Sequence, residues 1–327
     1  MTLTVLAITL ILVLAAEFVN GWTDAPNAIT TVVSTRVLTP PQALAMAVVL
    51  NILGAMGGLA VATTIGKGIV DQNVINQGTI AAAMISIIVW SSAAARFGIP
   101  TSESHALVAG LTGAAIATAG PEAVLWSGWQ KVLIGLVFSS VLGFGGGFVF
   151  SKIIIKSLAA ASPTRCNRIF RVLQIFSAGF MAYNHGLNDG QKFIGIFALS
   201  LTLAGILPSF DIPLWVIVIC ASVMGIGTSV GGWKIIKKVG MQMVQLSPWQ
   251  GFAAESGASM TILIASGLGI PLSTTHSITT SIMGVAASRN INKVRWSVSQ
   301  EIILAWVLTF PICGTISFII SLIINKF

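Results

Sequence analysis

Charge is what this chain lacks. Only 8% of its 327 residues are Asp, Glu, Lys or Arg, against about 25% in soluble domains. That scarcity argues against a water-soluble domain anywhere along it, and there is no low-complexity segment. Cysteine is scarce too. Cys166, Cys220 and Cys313 are far apart and odd in number, so they spell neither a metal site nor a disulfide framework. The first apolar segment, Leu3–Ala16, has no basic flank and no small-residue cleavage site before Glu17. It is expected to stay as a helix rather than leave as a signal peptide.

What is present is apolar. Hydrophobic residues make up 55% of the chain, in long stretches at 3–16, 42–62, 79–95, 132–151, 213–230 and 302–324. Stretches near 20 residues match a bilayer core about 30 Å thick. The net charge of +8 does not point to nucleic acid, because the bases sit in short loops. Lys152, Lys156, Arg165, Arg168 and Arg171 form one group; Lys234, Lys237 and Lys238 a second; Arg289, Lys293 and Arg295 a third. Short basic loops stay in the cytoplasm.

Two motifs each occur twice. GWTDAPNA at Gly21 returns as GLNDGQKF at Gly186, and GIPTSESH at Gly98 returns as GIPLSTTH at Gly269. The offset is 165 at the Asp motif and 171 at the His motif, which places the extra residues of the second half near Gly205–Pro213. Equivalent loops carry opposite bias. The Arg289–Arg295 loop is basic, whereas its partner near Gly120–Val124 holds Glu122 and no base. Equivalent loops therefore lie on opposite sides, which predicts an inverted repeat. The expected fold is an all-α polytopic membrane protein of two inverted repeats, with about five transmembrane crossings each and broken or re-entrant helices at the midplane. Residues 1–157 form the first repeat, 158–171 a basic cytoplasmic connecting loop and 172–327 the second repeat. The protein is expected in the cell membrane, with both termini outside the cytoplasm.

An ionisable side chain inside a membrane costs several kcal/mol, about 2.5–3.5 on insertion scales, so each is a functional candidate. Glu17, Asp24, Glu103, Asp189, Glu255 and Glu301 lie in or beside apolar segments, and all three histidines fall in or beside the repeated motifs. Gly21 and Pro26 are expected to open the helix around Asp24. Asp24 and Asn27 then offer hard oxygens beside freed carbonyls, a ligand set for an alkali cation. The second copy supplies Asn188, Asp189 and Gln191, and Glu17 joins these cation candidates. The plain alternative is that the acids pair with Lys192 or with backbone groups for structure alone.

Pro100 and Pro271 favour helix starts. Ser102, Ser104, Ser273, Thr274 and Thr275 would then surround two helix N-termini, whose free N–H groups and dipoles suit a tetrahedral oxyanion. The alternative is ordinary capping. His105 and His276 either contact the anion, carry a proton or fix the cap. Glu103 stands where the copy has Thr274, and it either points away, binds a cation or holds a proton. Lys192 falls at the position of Asn27, where it either imitates a bound cation or attracts the anion.

These residues bring a family into view. NGWTDAPNAI resembles the Gly-x-x-Asp-x-x-Asn-Ala motif of PiT-type inorganic phosphate transporters, and HGLNDGQKFIGI resembles the second copy in that family. GIPTSESH and GIPLSTTH are similar to its paired Gly-x-Pro-x-Ser-x-x-His motifs, and GIGTSVGGWKIIKKVG is similar to bacterial members. The resemblance covers nearly the whole chain. It implies phosphate import coupled to Na+ or H+ by alternating access, with Na+ as a coupling ion and no other cofactor. It makes Asp24, Asn27, Asn188 and Asp189 the cation candidates, as Na+ ligands if the coupling ion is sodium. Ser102, Ser104, His105, Ser273, Thr274, Thr275, His276 and Lys192 become the phosphate candidates. Two departures stand out: Thr23 occupies a position often His or Asn in relatives, and Glu103 replaces a small hydroxyl residue. The expected partners are inorganic phosphate, Na+ or H+, the lipid bilayer and, for assembly, a second copy in a homodimer. Transport of sulfate or arsenate at the same site is the alternative, with an intramembrane phosphatase further behind. The presence of both His favours phosphate over sulfate.

Overall fold

The structure is a computed structural model that describes residues 3–158 and 162–326. The first half contains α1 (Leu3–Ser34), α2 (Pro40–Ala55), α3 (Ala60–Gly68), α4 (Gln77–Arg96), α5 (Glu103–Ala119) and α6 (Trp126–Ser157). The second half repeats the order. Its first helix is in two parts, α7 (Pro163–His185) and α8 (Gln191–Leu203), joined by a π-helical turn at Gly186–Gly190. Then come α9 (Leu214–Val230), α10 (Trp233–Lys237) with a π-helical extension to Met243, α11 (Pro248–Gly267), α12 (Thr274–Arg289) and α13 (Trp296–Ile324). No strand occurs among the described residues. α2–α3 and α9–α10 each make a bent pair, turned by 66° and 59°. Four single helices, or six spans if each bent pair counts as one, are long and apolar enough to cross a membrane. This is a multi-pass helical membrane protein built as an inverted repeat.

One end of the molecule collects the acids. Asp71 N–H donates to Ala123 O at 2.8 Å, and Asn325 donates to Thr118 at 3.1 Å, so segments 69–76, 120–124 and the end of α13 lie together. The opposite end collects the bases. Arg171 donates to Arg36 O at 3.0 Å, and Arg295 N–H donates to Met243 O at 3.2 Å.

Two expectations change. Residues 158–171 are not a loop throughout: α7 starts at Pro163, and Ser162 caps it by accepting from Arg165 N–H at 3.4 Å. Ser followed by Pro is a start signal that the run of bases obscured. Residues 159–161 lie outside the described part of the chain. The second change is that α1 runs unbroken through Gly21 and Pro26. Pro26 removes one N–H and so frees the carbonyl of Trp22. The helix continues because its neighbour has no side chain in the way: Pro26 packs directly on Gly232.

The halves grip each other by exchanged contacts. α5 packs on α13, and α12 packs on α6. Glycines make the approach close. A Cβ at Gly113 would sit 2.1 Å from Gly314 O, and one at its counterpart Gly284 would sit 2.0 Å from Phe144 O. Gly147 meets Ser281 O in the same way, at 2.2 Å. Gly113→Val or Gly284→Val is expected to cost about 3 kcal/mol through overpacking. Thermal melting of the detergent-purified protein reads this, with Gly145→Val as the near-neutral control, since nothing lies within 4 Å of its Cβ position.

Candidate functional site

The sequence GIP builds the tip of each hairpin. α4 ends at Arg96 with Phe97 as its cap, Gly98 takes φ +69°, Ile99 N–H donates to Ala94 O at 2.9 Å and Gly98 N–H to Ala95 O at 3.0 Å. α11 ends alike: Gly269 has φ +65°, Ile270 N–H donates to Ala265 O at 2.8 Å and Gly269 N–H to Ser266 O at 3.1 Å. These are paired Schellman ends, which need a residue free to adopt positive φ. The following Pro holds the chain extended. Ser102 then caps α5 and Ser273 caps α12, accepting from His105 N–H at 3.4 Å and His276 N–H at 3.2 Å. The two tips touch, with the Ser104 hydroxyl donating to Leu272 O at 2.6 Å.

At that contact both Asp motifs arrive. Lys192 ion-pairs with Asp189 one turn before it and also donates to the Ser104 hydroxyl and to Leu272 O. Thr274 donates to the other Asp189 oxygen at 2.8 Å. Asn27 donates to Thr275 at 2.9 Å and to Thr274 at 3.3 Å, and Thr275 reaches Asp24 at 3.5 Å. The pattern is symmetric across the repeat: Ser104 of the first half meets Lys192 of the second, and its counterpart Thr275 meets Asn27 of the first. All these side chains are buried. Thr23 donates to Glu103 at 3.0 Å, so the acid that replaces a hydroxyl is held against α1, with its second oxygen unpaired.

His185 belongs to the same cluster and was missed. Its Nε2 lies 3.3 Å from Asp189, and its Nδ1 lies 3.1 Å from Asn51 Oδ1. Ligating atoms of Asp24, His185 and Asp189 lie within 4.8 Å of one another. The signal was available, since His185 precedes Asp189 by four residues and shares its helix face.

Five other candidates stand apart from the Asp24–Asp189 contact. Gln191 accepts from Val61 N–H at 2.9 Å and caps α3. Asn188 donates to Ser266 at 2.9 Å and to Ile270 O at 3.4 Å, which holds the second hairpin tip. Glu17 is buried and accepts only from Asn20, at 2.9 Å. His105 and His276 face the other way as a pair, with ring centroids 4.7 Å apart; His276 stacks on Trp306 at 3.6 Å and His105 on Phe310 at 4.5 Å. They line a cavity of about 560 Å³ with Leu136 and Ile303. A separate buried acid, Glu255, is held by Thr31, Gln174 and Ser177 between α1, α7 and α11.

Two inverted halves whose Asp-motif helices and hairpin tips converge on one buried polar cluster define a transporter architecture rather than an enzyme. The chain belongs to the phosphate transporter family, whose profile matches residues 20–317. It is 41% identical over 303 residues to a probable low-affinity inorganic phosphate transporter of Rhizobium meliloti, covering 92% of this chain and 91% of the relative. A Bacillus subtilis protein of the same description is 39% identical and covers 98% of each chain. A solved structure described as the sodium-dependent phosphate transporter superposes with a TM-score of 0.91 at 24% identity, over 99% of this chain and 100% of that one.

Removing Lys192 would leave Asp189 as an uncompensated buried charge. Lys192→Met is expected to cost about 3–5 kcal/mol, and adding Asp189→Asn should recover most of it. A melting-temperature cycle over the four proteins checks this; strict additivity would refute the coupling.

Proposed function

We propose that the protein imports inorganic phosphate together with a cation, Na+ first and H+ as the alternative, by alternating access. The observation that carries this reading is the charge balance of the cluster. Asp24, Asp189, Glu103 and nearby Glu17 are buried with Lys192 as the single lysine among them. Such a site does not accept a dianion unless cations enter with it. The cation is assigned to the space between Asp24 and Asp189, with Asn27 and His185 at its edge. The phosphate is assigned to the starts of α5 and α12, where Ser104, Thr274 and Thr275 supply hydroxyls and the helix ends supply N–H groups. A cation arriving beside Asp189 competes with Lys192 for that carboxylate. The ammonium is then free to face the oxyanion next to Ser104. Coupling follows because each ion creates the charge that the other needs, and the pair together favours the occluded state.

Residues 1–157 and 172–327 would rock as the two inverted halves, with 158–171 as their connector. The basic end is assigned to the cytoplasm of the cell membrane, which puts both termini outside. The relatives' descriptions support phosphate as the substrate, and the sodium dependence of the structural neighbour supports Na+.

Asp24→Asn is expected to lower cation-driven phosphate uptake in proteoliposomes by about 100-fold, a loss equivalent to about 2.7 kcal/mol. Imposing sodium and proton gradients separately identifies the coupling ion. Excess unlabelled sulfate should leave uptake unchanged. Normal uptake by the variant would remove Asp24 from the cation site.

A further inference from the structure

A cavity of about 660 Å³ lies where two backbone turns meet, at the end of α4 and at the bend between α9 and α10. Its lining includes Trp22, Ser92, Arg96, Trp233 and Lys234. We propose that it is a second oxyanion site, one that holds inorganic phosphate on the route between the basic end and the central cluster. The proposal rests on the phosphate-transport reading and adds a station to it.

The charged groups of the cavity are all cationic. Arg96 and Lys234 bring two positive charges, and no carboxylate lines the space. Neither cation has a salt-bridge partner among the described residues. Among the described residues, the Ser92 hydroxyl and the indole N–H groups of Trp22 and Trp233 donate no hydrogen bond either. Arg guanidinium and Lys ammonium groups beside uncommitted N–H and O–H donors form the recognition set of a phosphate group.

Symmetry shows that the charge is not needed to hold the backbone. Lys234 donates to Arg96 O at 2.7 Å, which ties α10 to the first hairpin. At the opposite hairpin a comparable tie, made two residues further along, uses a neutral hydroxyl, as Thr64 donates to Gly269 O at 2.8 Å. Arg96 itself corresponds to Gly267 under the offset of 171. A hydroxyl therefore suffices for the tie, and the positive charge on one face is surplus to it. Position supplies the rest. Trp22 lies on α1 two residues before Asp24, and Gly98, at the first hairpin tip, packs against Lys234. The cavity borders the end of α4, which leads through the hairpin tip at Gly98 into α5 and Ser104. α10 continues through its π-helical extension to Met241, which borders both the Arg36 and the Arg289–Arg295 cavities of the basic end. A low-dielectric wall with like-signed charge at its mouth raises the local concentration of a counter-ion.

The test uses the full-length protein in proteoliposomes sorted by orientation, with labelled inorganic phosphate presented to one face at a time. Arg96→Gln with Lys234→Gln should raise the half-saturating phosphate concentration at the basic face by about tenfold and leave the acidic face unchanged. Arg96→Lys with Lys234→Arg should restore it. The gap should narrow as salt rises, because the Debye length falls from about 8 Å at 0.15 M to about 3 Å at 1 M. Unchanged half-saturation at both faces, with normal transport by the unaltered protein, overturns this site and leaves the transport reading standing. So does a change that follows the anionic-lipid content of the vesicles instead of phosphate, which would assign the cavity to a lipid headgroup. Absence of any phosphate transport by the unaltered protein overturns the function, and this site with it.

Discussion

The buried ion pair of Lys192 and Asp189 is the interaction on which the rest of the arrangement depends. Neither charge belongs in a bilayer alone, and desolvating both is repaid only if every remaining donor and acceptor finds a partner. That requirement brings four elements to one point. The ammonium needs the Ser104 hydroxyl and Leu272 O, so it draws both hairpin tips together. The carboxylate needs Thr274 and His185, so it ties α12 to α7. The two halves meet where their polar groups can be satisfied.

The same constraint explains why the copies differ. Perfect symmetry would place Asn at 192 and leave two buried aspartates facing each other with no cation. Replacing one Asn by Lys supplies the missing charge from the protein itself. Asn27, its counterpart, keeps its amide and donates to Thr275 and Thr274 instead. Asp24 is therefore the acid without a base of its own, and the cation is assigned beside it for that reason. Glu103 adds a further acid opposite Thr274 and is held only by Thr23 in the structure. The first half thus carries the surplus negative charge and the second half the lysine.

Much of the architecture was legible because duplication is a one-dimensional signal. Two motifs at offsets of 165 and 171, with loops of opposite charge bias, imply an inverted repeat before any coordinate is known. The motif glycines and prolines likewise state where the hairpins turn. Rotation about a helix axis was less accessible. His105 follows Ser104 by one residue, which turns it about 100° around the helix. That step takes it from the polar cluster to the aromatic cavity between α6 and α13. His276 makes the same turn after Thr275. Gln191 sits two residues from Asp189 and so faces α3, whereas His185, four residues away, shares the Asp189 face. Sequence proximity to a motif is a weaker guide than helical spacing from it.

Continuity of α1 carries a mechanical consequence. The first motif copy sits in a helix that Pro26 weakens without breaking, while the second sits in a π-helical turn at Gly186–Gly190. A π turn widens the helix by one residue and is a frequent feature of functional sites. The half that holds Lys192 therefore carries its charged pair on a widened turn bounded by Gly186 and Gly190. Both glycines are closely packed, with a Cβ at Gly186 placed 2.1 Å from Asn51 O and one at Gly190 placed 2.6 Å from Ala55 Cβ. Motion of α2 relative to the turn is thus felt directly at Asp189 and Lys192. α2 is the first arm of the bent pair α2–α3, and Thr64 of α3 donates to Gly269 O at the second hairpin tip. One helix pair therefore packs on both the turn that holds Asp189 and the tip that precedes Thr274.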